Sequence, residues 1–211
     1  MYNILALTDF NYSSSRGLFF SEILSTRIKG KINVLGINKL DKKRKGGKIR
    51  EPNKSEKAFI HQHIAGSGIS IDVIDTDDTL DAITPFLSGN KTDLIVIGCA
   101  SGKKSTLLIQ SDKISNLLKK LSQPILFVSK PIDLENFNDI TFYFPMISEE
   151  DYPKSLLIHD LALGFGAKVH LLTVVDPHRS SNFNVINKLG SMAIKYNLEN
   201  FSINTTYNTL S

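Results

Sequence analysis

The feature that most constrains the fold is a regular alternation of short apolar runs with segments of helical periodicity across residues 2–130. The apolar runs are typical of buried strands: YNILALT, KINVLGI, ISIDVID, DLIVIG and PILFVS. The segments between them carry apolar residues three or four positions apart, as amphipathic helices do. Strands that are apolar throughout and alternate with helices indicate a parallel sheet covered on both faces. The sequence therefore predicts an α/β fold with a doubly wound, open parallel sheet.

The first helix shows how the segment boundaries are predicted. Its apolar positions include Leu18 and Leu24, and a serine run from Ser13 to Ser15 precedes them. Serine is a favoured N-cap residue, and glycine commonly follows the last turn of a helix. We therefore expect Ser13 to Ser15 to cap this helix and Gly30 to end it.

The pattern restarts after residue 138. ITFYFPMI predicts a strand, DYPKSLLIHDLALGFG a helix ending at Gly166, and AKVHLLTVV a second strand, in the order seen at the start of the chain. NVINKLGSMAIKYN and FSINTTYN then predict one more helix and one more strand. Such self-similarity indicates an internal repeat. We predict a complete domain over residues 1–131 and a partial second copy over residues 138–211, without a glycine loop or a last strand.

Composition narrows the classes of protein to consider. The single cysteine, Cys99, excludes an internal disulfide and suits a reducing compartment; its role is that of a redox group or of a small buried apolar side chain. The N-terminus lacks a signal-peptide pattern, and no apolar run is long enough to span a membrane. We expect a cytoplasmic protein without a membrane-spanning segment.

The net charge of +4 is concentrated in one run, KLDKKRKGGKIREPNK, which begins at Lys39. We expect a solvated loop here, with a lid over phosphates or a patch for an anionic partner as the alternatives. No aromatic residues interleave these charges, which makes nucleic acid an unlikely partner.

Catalytic and metal-binding patterns are weak. His61 and His63 lie two residues apart on a predicted helix, so they point to different faces. His159 and His170 have no acidic or cysteine neighbours at ligand spacing. No recognisable nucleophile–base motif occurs. We therefore expect no metal site, no catalytic residues and no enzyme activity.

The predicted topology nevertheless places polar residues at a natural ligand crevice. In such sheets a crevice opens at the carboxyl ends of the strands where the strand order reverses. Asp9, after the first strand, and Gly98, after the fourth, would meet there. Asp9 is placed to contact a base or ribose, and Gly98 lets a backbone approach closely. The amides of the following loop, GCASGKK, and of the helix start would favour phosphate.

These segments resemble the universal stress protein family. The resemblance is carried by ILALTDF with its serine-rich helix start, by KINVLGI and by DLIVIGCASGKK…SQPILFV. It covers residues 2–130, and more weakly 139–211 as a partial second copy. It implies the strand order 3-2-1-4-5 and pairing of subunits through the last strand. In nucleotide-binding members it implies a loop of the form G-x2-G-x9-G-[ST] that holds ATP.

The loop of this chain departs from that pattern. Gly98 matches the first glycine, Ser101 stands at the second position with Gly102 one place late, and Ser111 and Asp112 stand at the last two positions when Pro124 sets the register. An ionised aspartate cannot donate to phosphate. The resemblance thus implies this nucleotide site: Thr8, Asp9, Ile37, Gly98, Ser101, Gly102, Ser111 and Asp112.

Two main functional hypotheses follow. The first is a stress-response regulatory protein that weakly binds ATP or AMP with Mg²⁺ in domain one. The alternative is an adaptor or scaffold that acts through protein partners and dimerisation without nucleotide. A hydrolase or transferase without a recognisable motif is the least favoured. The strand Pro124 to Ser129 is apolar and lies at a sheet edge, so we expect it to pair in a homodimer.

Overall fold

The computed structural model describes residues 1–38, 49–64, 69–76, 78–98, 120–128, 139–143, 152–175, 187, 190–191 and 201–207. The chain divides into two compact units, Met1–Ile132 and Asp133–Ser211. In these described segments, no helix is long and apolar enough to cross a lipid bilayer.

Unit one is a six-stranded sheet with the strand order β3-β4-β2-β1-β5-β6. All of its strand pairs are parallel except β3 with β4. The predicted strands one to five are β1, β2, β4, β5 and β6, so the predicted order 3-2-1-4-5 and the predicted fold class are confirmed. The elements are β1 Tyr2–Thr8, α1 Tyr12–Arg27, β2 Gly30–Asn38, β3 Ile49–Arg50, α2 Lys54–His63, β4 Ser70–Asp75, α3 Thr79–Gly89, β5 Leu94–Gly98 and β6 Ile125–Val128.

The strand β3 was not predicted. It lies in the basic run that we expected to be a solvated loop, and it pairs antiparallel to β4, with Arg50 opposite Val73. Two residues show no periodicity, so only tertiary contact can specify such a strand. The rest of that loop, residues 39–48, lies outside the described residues.

Two apolar layers cover the two faces of this sheet. One contains Leu5, Leu35 and Ile95 with the side chains of α3, and all three strand residues are 0% exposed. The other contains Ala6 and Val34 with side chains of α1 and α2. Alternate residues of a strand point to opposite faces, which is why neighbours in β1 serve different layers. Each fully buried leucine or isoleucine contributes about 1.5–3 kcal/mol.

The ends of α1 differ from prediction. Its N-cap is Asn11, whose side chain accepts from the N–H groups of Ser13 and Ser14, so the serine run lies inside the helix. The left-handed residue after the helix is Lys29, with φ of 54°, instead of Gly30. Gly30 begins β2, where a Cβ would lie 2.7 Å from the Ile4 side chain. A larger residue at position 30 would therefore have to displace the end of the Ile4 side chain.

Unit two is a parallel three-stranded sheet with the order β7-β8-β9. Its elements are β7 Asp139–Tyr143, α4 Tyr152–Phe165, β8 Lys168–Val175 and β9 Phe201–Tyr207. Gly166 ends α4 as expected: it adopts φ of 63°, and the next N–H, of Ala167, donates to the Ala162 carbonyl at 3.0 Å. That the unit is a partial repeat of unit one stays a prediction.

Candidate functional site

The turn after β1 holds Thr8 in internal hydrogen bonds. Thr8 is 0% exposed, and its Oγ1 accepts the Phe10 N–H at 3.0 Å. Thr8 Oγ1 also lies 2.8 Å from the Oγ of Ser14, which itself donates to the Asn11 carbonyl at 2.9 Å. The Thr8 hydroxyl therefore donates to Ser14. Both roles of this hydroxyl serve the turn, so its place in a nucleotide site stays a prediction.

Asp9 is the half-buried acidic side chain that directly follows β1 at the carboxyl edge of the sheet. Its Oδ2 accepts a hydrogen bond from Asn11 Nδ2 at 2.6 Å. The same Asn11 side chain uses its Oδ1 to cap α1. The carboxylate is thus tied to the first turn of the helix, at the crevice position that the sequence predicted.

Gly98 is the last residue of β5, and its main chain is in tight contact with α1. A Cβ at Gly98 would lie 2.6 Å from the Ser13 carbonyl oxygen and 2.7 Å from the Gly17 nitrogen. A Cβ at Gly17 would lie 2.4 Å from the Gly98 nitrogen. Packing alone thus requires glycine at both positions. From the sequence, Gly98 was explained by close approach of a phosphate, and Gly17 gave no signal, because a glycine inside a helix gives no sign of the strand it will meet.

Ile37 is a core residue. It is 0% exposed and packs in the layer under α3, with Ile83 and Phe86 among its neighbours in that layer. Any contact between Ile37 and a ligand at the carboxyl edge would therefore be made by its main chain, and its predicted role stays a prediction.

The sheet brings part of the predicted site together. Leu7 of β1 pairs with Ile97 of β5, so Thr8, Asp9 and Gly98 lie at neighbouring strand ends where the strand order reverses. β2 lies on the other side of β1, which places Ile37 near the same edge. The remaining predicted residues lie outside the described residues, as does Cys99: Ser101, Gly102, Ser111 and Asp112.

A charged cluster that the sequence analysis missed lies at the ends of β2 and β4. Arg50 donates from Nη1 and Nη2 to the two carboxylate oxygens of Glu56, at 2.9 and 2.8 Å. It also donates to both oxygens of Asp75, at 3.2 and 3.1 Å. Glu56 further accepts from the side chain of Asn38 at 2.6 Å and from the Asn53 N–H at 2.7 Å.

These contacts explain the charge state of the cluster. Hydrogen bonds from Arg50 outweigh burial and lower the pKa of Glu56 from its ordinary value of 4.5 to about 2. Bonds to Glu56 and Asp75 raise the already high pKa of Arg50 further. Asn53 and Glu56 also form a capping box at the start of α2. The spacing Asn-x-x-Glu is a known helix-start signal, so this half of the cluster was detectable in the sequence.

Both described histidines of unit two lie beside an aspartate, and His159 Nδ1 is 3.1 Å from Asp160 Oδ1. His170 Nε2 lies 2.7 Å from Asp139 Oδ1, because β7 and β8 pair side by side. A single histidine–aspartate contact does not test the expectation, which concerned ligands spaced for a metal ion. Within the described part of the chain, no three potential metal-ligating side chains form a group.

Comparison with known proteins places the fold. No family model matches the sequence, and no curated protein matches it significantly. A solved universal stress protein from Archaeoglobus fulgidus DSM 4304 is 15% identical, with a TM-score of 0.63 over 98% of this chain and 79% of that chain. The functionally unknown protein PA1789 from Pseudomonas aeruginosa PAO1 is 13% identical, with a TM-score of 0.59 over 98% and 74%.

A third solved structure is the cytoplasmic domain of a prokaryotic cation chloride cotransporter. It is 16% identical, with a TM-score of 0.57 over 99% of this chain and 79% of that chain. At such identities the likeness establishes the fold alone. The chain has a fold of the universal stress protein type.

Proposed function

We propose that this chain is a cytoplasmic regulatory protein of universal stress type whose first unit binds an adenine nucleotide, ATP or AMP with Mg²⁺. One observation carries the proposal: the Asp9 carboxylate lies at the carboxyl end of β1, beside the end of β5, where the strand order reverses. Ligands of open α/β sheets bind at such a point. The likeness in fold to a universal stress protein supports the same placement.

The proposed division of labour follows from chemistry. Asp9 accepts a hydrogen bond from an N–H or O–H of the nucleoside, and the loop that begins at Gly98 receives the phosphates on its amides. Ser101 and Ser111 add hydroxyl donors, whereas Asp112 opposes phosphate. A carboxylate within about 4 Å of a phosphate in a partly screened site costs on the order of a few kcal/mol. We therefore propose weak binding.

We propose that the nucleotide acts as a signal and is hydrolysed at most very slowly. Two of the described polar side chains near this edge are engaged in internal contacts. Thr8 bonds within its turn, and Glu56 bonds to Arg50. A general base has to reach the attacking water, and a carboxylate held in an ion pair is poorly suited to that role.

The first test asks whether any nucleotide binds. The protein is purified without added nucleotide and denatured, and the supernatant is separated by anion exchange with detection at 260 nm. The same batch is titrated with Mg-ATP and Mg-AMP by calorimetry. Released or titrating adenine nucleotide supports the proposal. No released nucleotide and no heat up to about millimolar ligand, on a folded sample, would refute it.

A second test asks whether the altered loop limits affinity. The double variant Ser111→Gly, Asp112→Ser restores the glycine and hydroxyl of the family pattern and removes one negative charge. ATP affinity should rise tenfold or more, since 1.4 kcal/mol corresponds to a factor of ten. An unchanged affinity would show that Asp112 does not face the phosphates.

A second candidate function, an adaptor without nucleotide, is favoured by a specific observation. Gly98 and Ile37 are both explained by packing, against α1 and under α3, without any ligand. The fold also forms a cytoplasmic domain of a cotransporter, which shows that it occurs as part of a larger protein. This candidate is favoured if neither the wild-type protein nor the double variant gives binding heat when titrated with nucleotide.

A further inference from the structure

The side chain of Asn11 joins the first turn of α1 to the Asp9 carboxylate at the carboxyl edge of the sheet. Its Oδ1 accepts from the N–H groups of Ser13 and Ser14 at 2.8 and 3.0 Å, and its Nδ2 donates to Asp9 Oδ2 at 2.6 Å. The two bonds from the helix hold Oδ1 and the bond to Asp9 holds Nδ2, so the amide is held at both ends. Through this donor, α1 contributes to the position of the Asp9 carboxylate.

Thr8 and Ser14 of the same turn have a different role. Thr8 and Ser14 are 0% exposed and bond to each other at 2.8 Å. Ser14 also donates to the main-chain carbonyl of Asn11. These bonds hold the backbone between β1 and α1, whereas the Asn11 amide holds the acidic side chain itself. A serine cap would satisfy the helix equally well but has no second donor to offer Asp9.

We propose that Asn11 is a positioning residue of the nucleotide site: its amide orients the Asp9 carboxylate so that the carboxylate accepts a hydrogen bond from an amine or hydroxyl of the nucleoside. The inference rests on the nucleotide binding proposed above. A pre-oriented acceptor loses less freedom when the ligand binds, and a hydrogen bond to a charged group is among the stronger ones in proteins.

The test compares Asn11→Ser with Asn53→Ser. Asn53 is the N-cap of α2, and its side-chain oxygen likewise accepts a main-chain N–H of its helix, that of Glu56. Both serine variants retain a capping oxygen, so their thermal transitions should stay close to the wild-type value. Each protein is titrated by calorimetry with Mg-ATP, with Mg-ITP, which lacks the exocyclic amine, and with Mg-2′-deoxy-ATP, which lacks one ribose hydroxyl.

We expect the wild-type protein to prefer ATP over the analogue that lacks the group bound by Asp9. Asn11→Ser should lower ATP affinity about tenfold and bring the ratio of the ATP affinity to the analogue affinity close to one. The reason is that the misplaced Asp9 carboxylate no longer accepts its hydrogen bond from the nucleoside, and a bond to a charged group is lost. Asn53→Ser should change neither quantity. A variant that is only less stable would bind all three nucleotides more weakly by the same factor, so its preference for ATP would be unchanged.

Each other outcome has a definite meaning. Unchanged affinity and preference in Asn11→Ser would overturn the positioning role and leave the nucleotide site standing. Equal losses in Asn11→Ser and Asn53→Ser would reduce Asn11 to a helix cap. A wild-type protein that binds none of the three nucleotides would end the proposed function, and this inference with it.

Discussion

Replacing Glu56 with glutamine should destabilise unit one, because Glu56 is a buried carboxylate that accepts hydrogen bonds from Arg50, Asn38 and the Asn53 N–H. The substitution keeps the shape of the side chain and removes the charge that Arg50 contacts at two oxygens. The pKa of Glu56 falls from 4.5 to about 2 in the folded protein. Each unit corresponds to 1.36 kcal/mol, so the folded environment favours the ionised form by about 3 kcal/mol. Because Arg50 keeps its hydrogen bonds to Asp75 in the variant, we expect the free energy of unfolding to fall by less than this, by about 2 kcal/mol at pH 7.

The same shift predicts the pH dependence. A carboxylate whose pKa is lowered on folding stabilises the protein above its unfolded pKa and loses that contribution as the pH falls toward the folded value. The Glu56 contribution is therefore complete above about pH 5 and disappears between about pH 4.5 and pH 2. The stability difference between wild type and Glu56→Gln should shrink by more than half at pH 3.

The assay has to report unit one by itself, because a chain of two units need not unfold in one step. Urea unfolding is followed by amide hydrogen exchange of peptides from β1 and β2. The control is Glu51→Gln, an exposed residue that meets Arg50 only through its main-chain carbonyl. Equal midpoints for the two variants at pH 7 would refute the reasoning, and so would a difference for Glu56→Gln that does not narrow at pH 3.

Two further predictions concern packing and assembly. Gly17→Ala should lower the free energy of unfolding in urea by roughly 1–3 kcal/mol or more, since its Cβ would lie 2.4 Å from the Gly98 nitrogen. The control is Gly89→Ala, which has nothing within 4 Å and should cost nothing. Equal urea midpoints for the two variants would contradict the close contact of α1 with β5. Light scattering at micromolar concentration should give twice the chain mass, because β6 (Ile125–Val128) ends the sheet with half-buried apolar side chains. A monomeric mass would contradict pairing through this edge.

Long apolar segments explain why the fold was predictable. Continuous apolar runs indicate parallel strands locally, and rules of right-handed crossover leave few orders for the sheet. The order β4-β2-β1-β5-β6 followed from those rules and the family resemblance. The carboxyl-edge position of Asp9 also followed, since the residue after a strand in such a sheet lies at that edge.

Tertiary contact alone decided the rest. Glu56 and Asp75 share Arg50, although 25 residues separate Arg50 from Asp75. The glycine at position 17 acquires its meaning only when α1 lies on Gly98. The N-cap of α1 is Asn11 and none of the three serines that follow it, and the Asn11 amide bonds both to the helix and to Asp9. The sequence determined which of the long described segments become strands and helices, because burial and periodicity are properties of neighbouring residues. The structure decided which side chains meet, because ion pairs and close contacts depend on distances that only the assembled sheet sets.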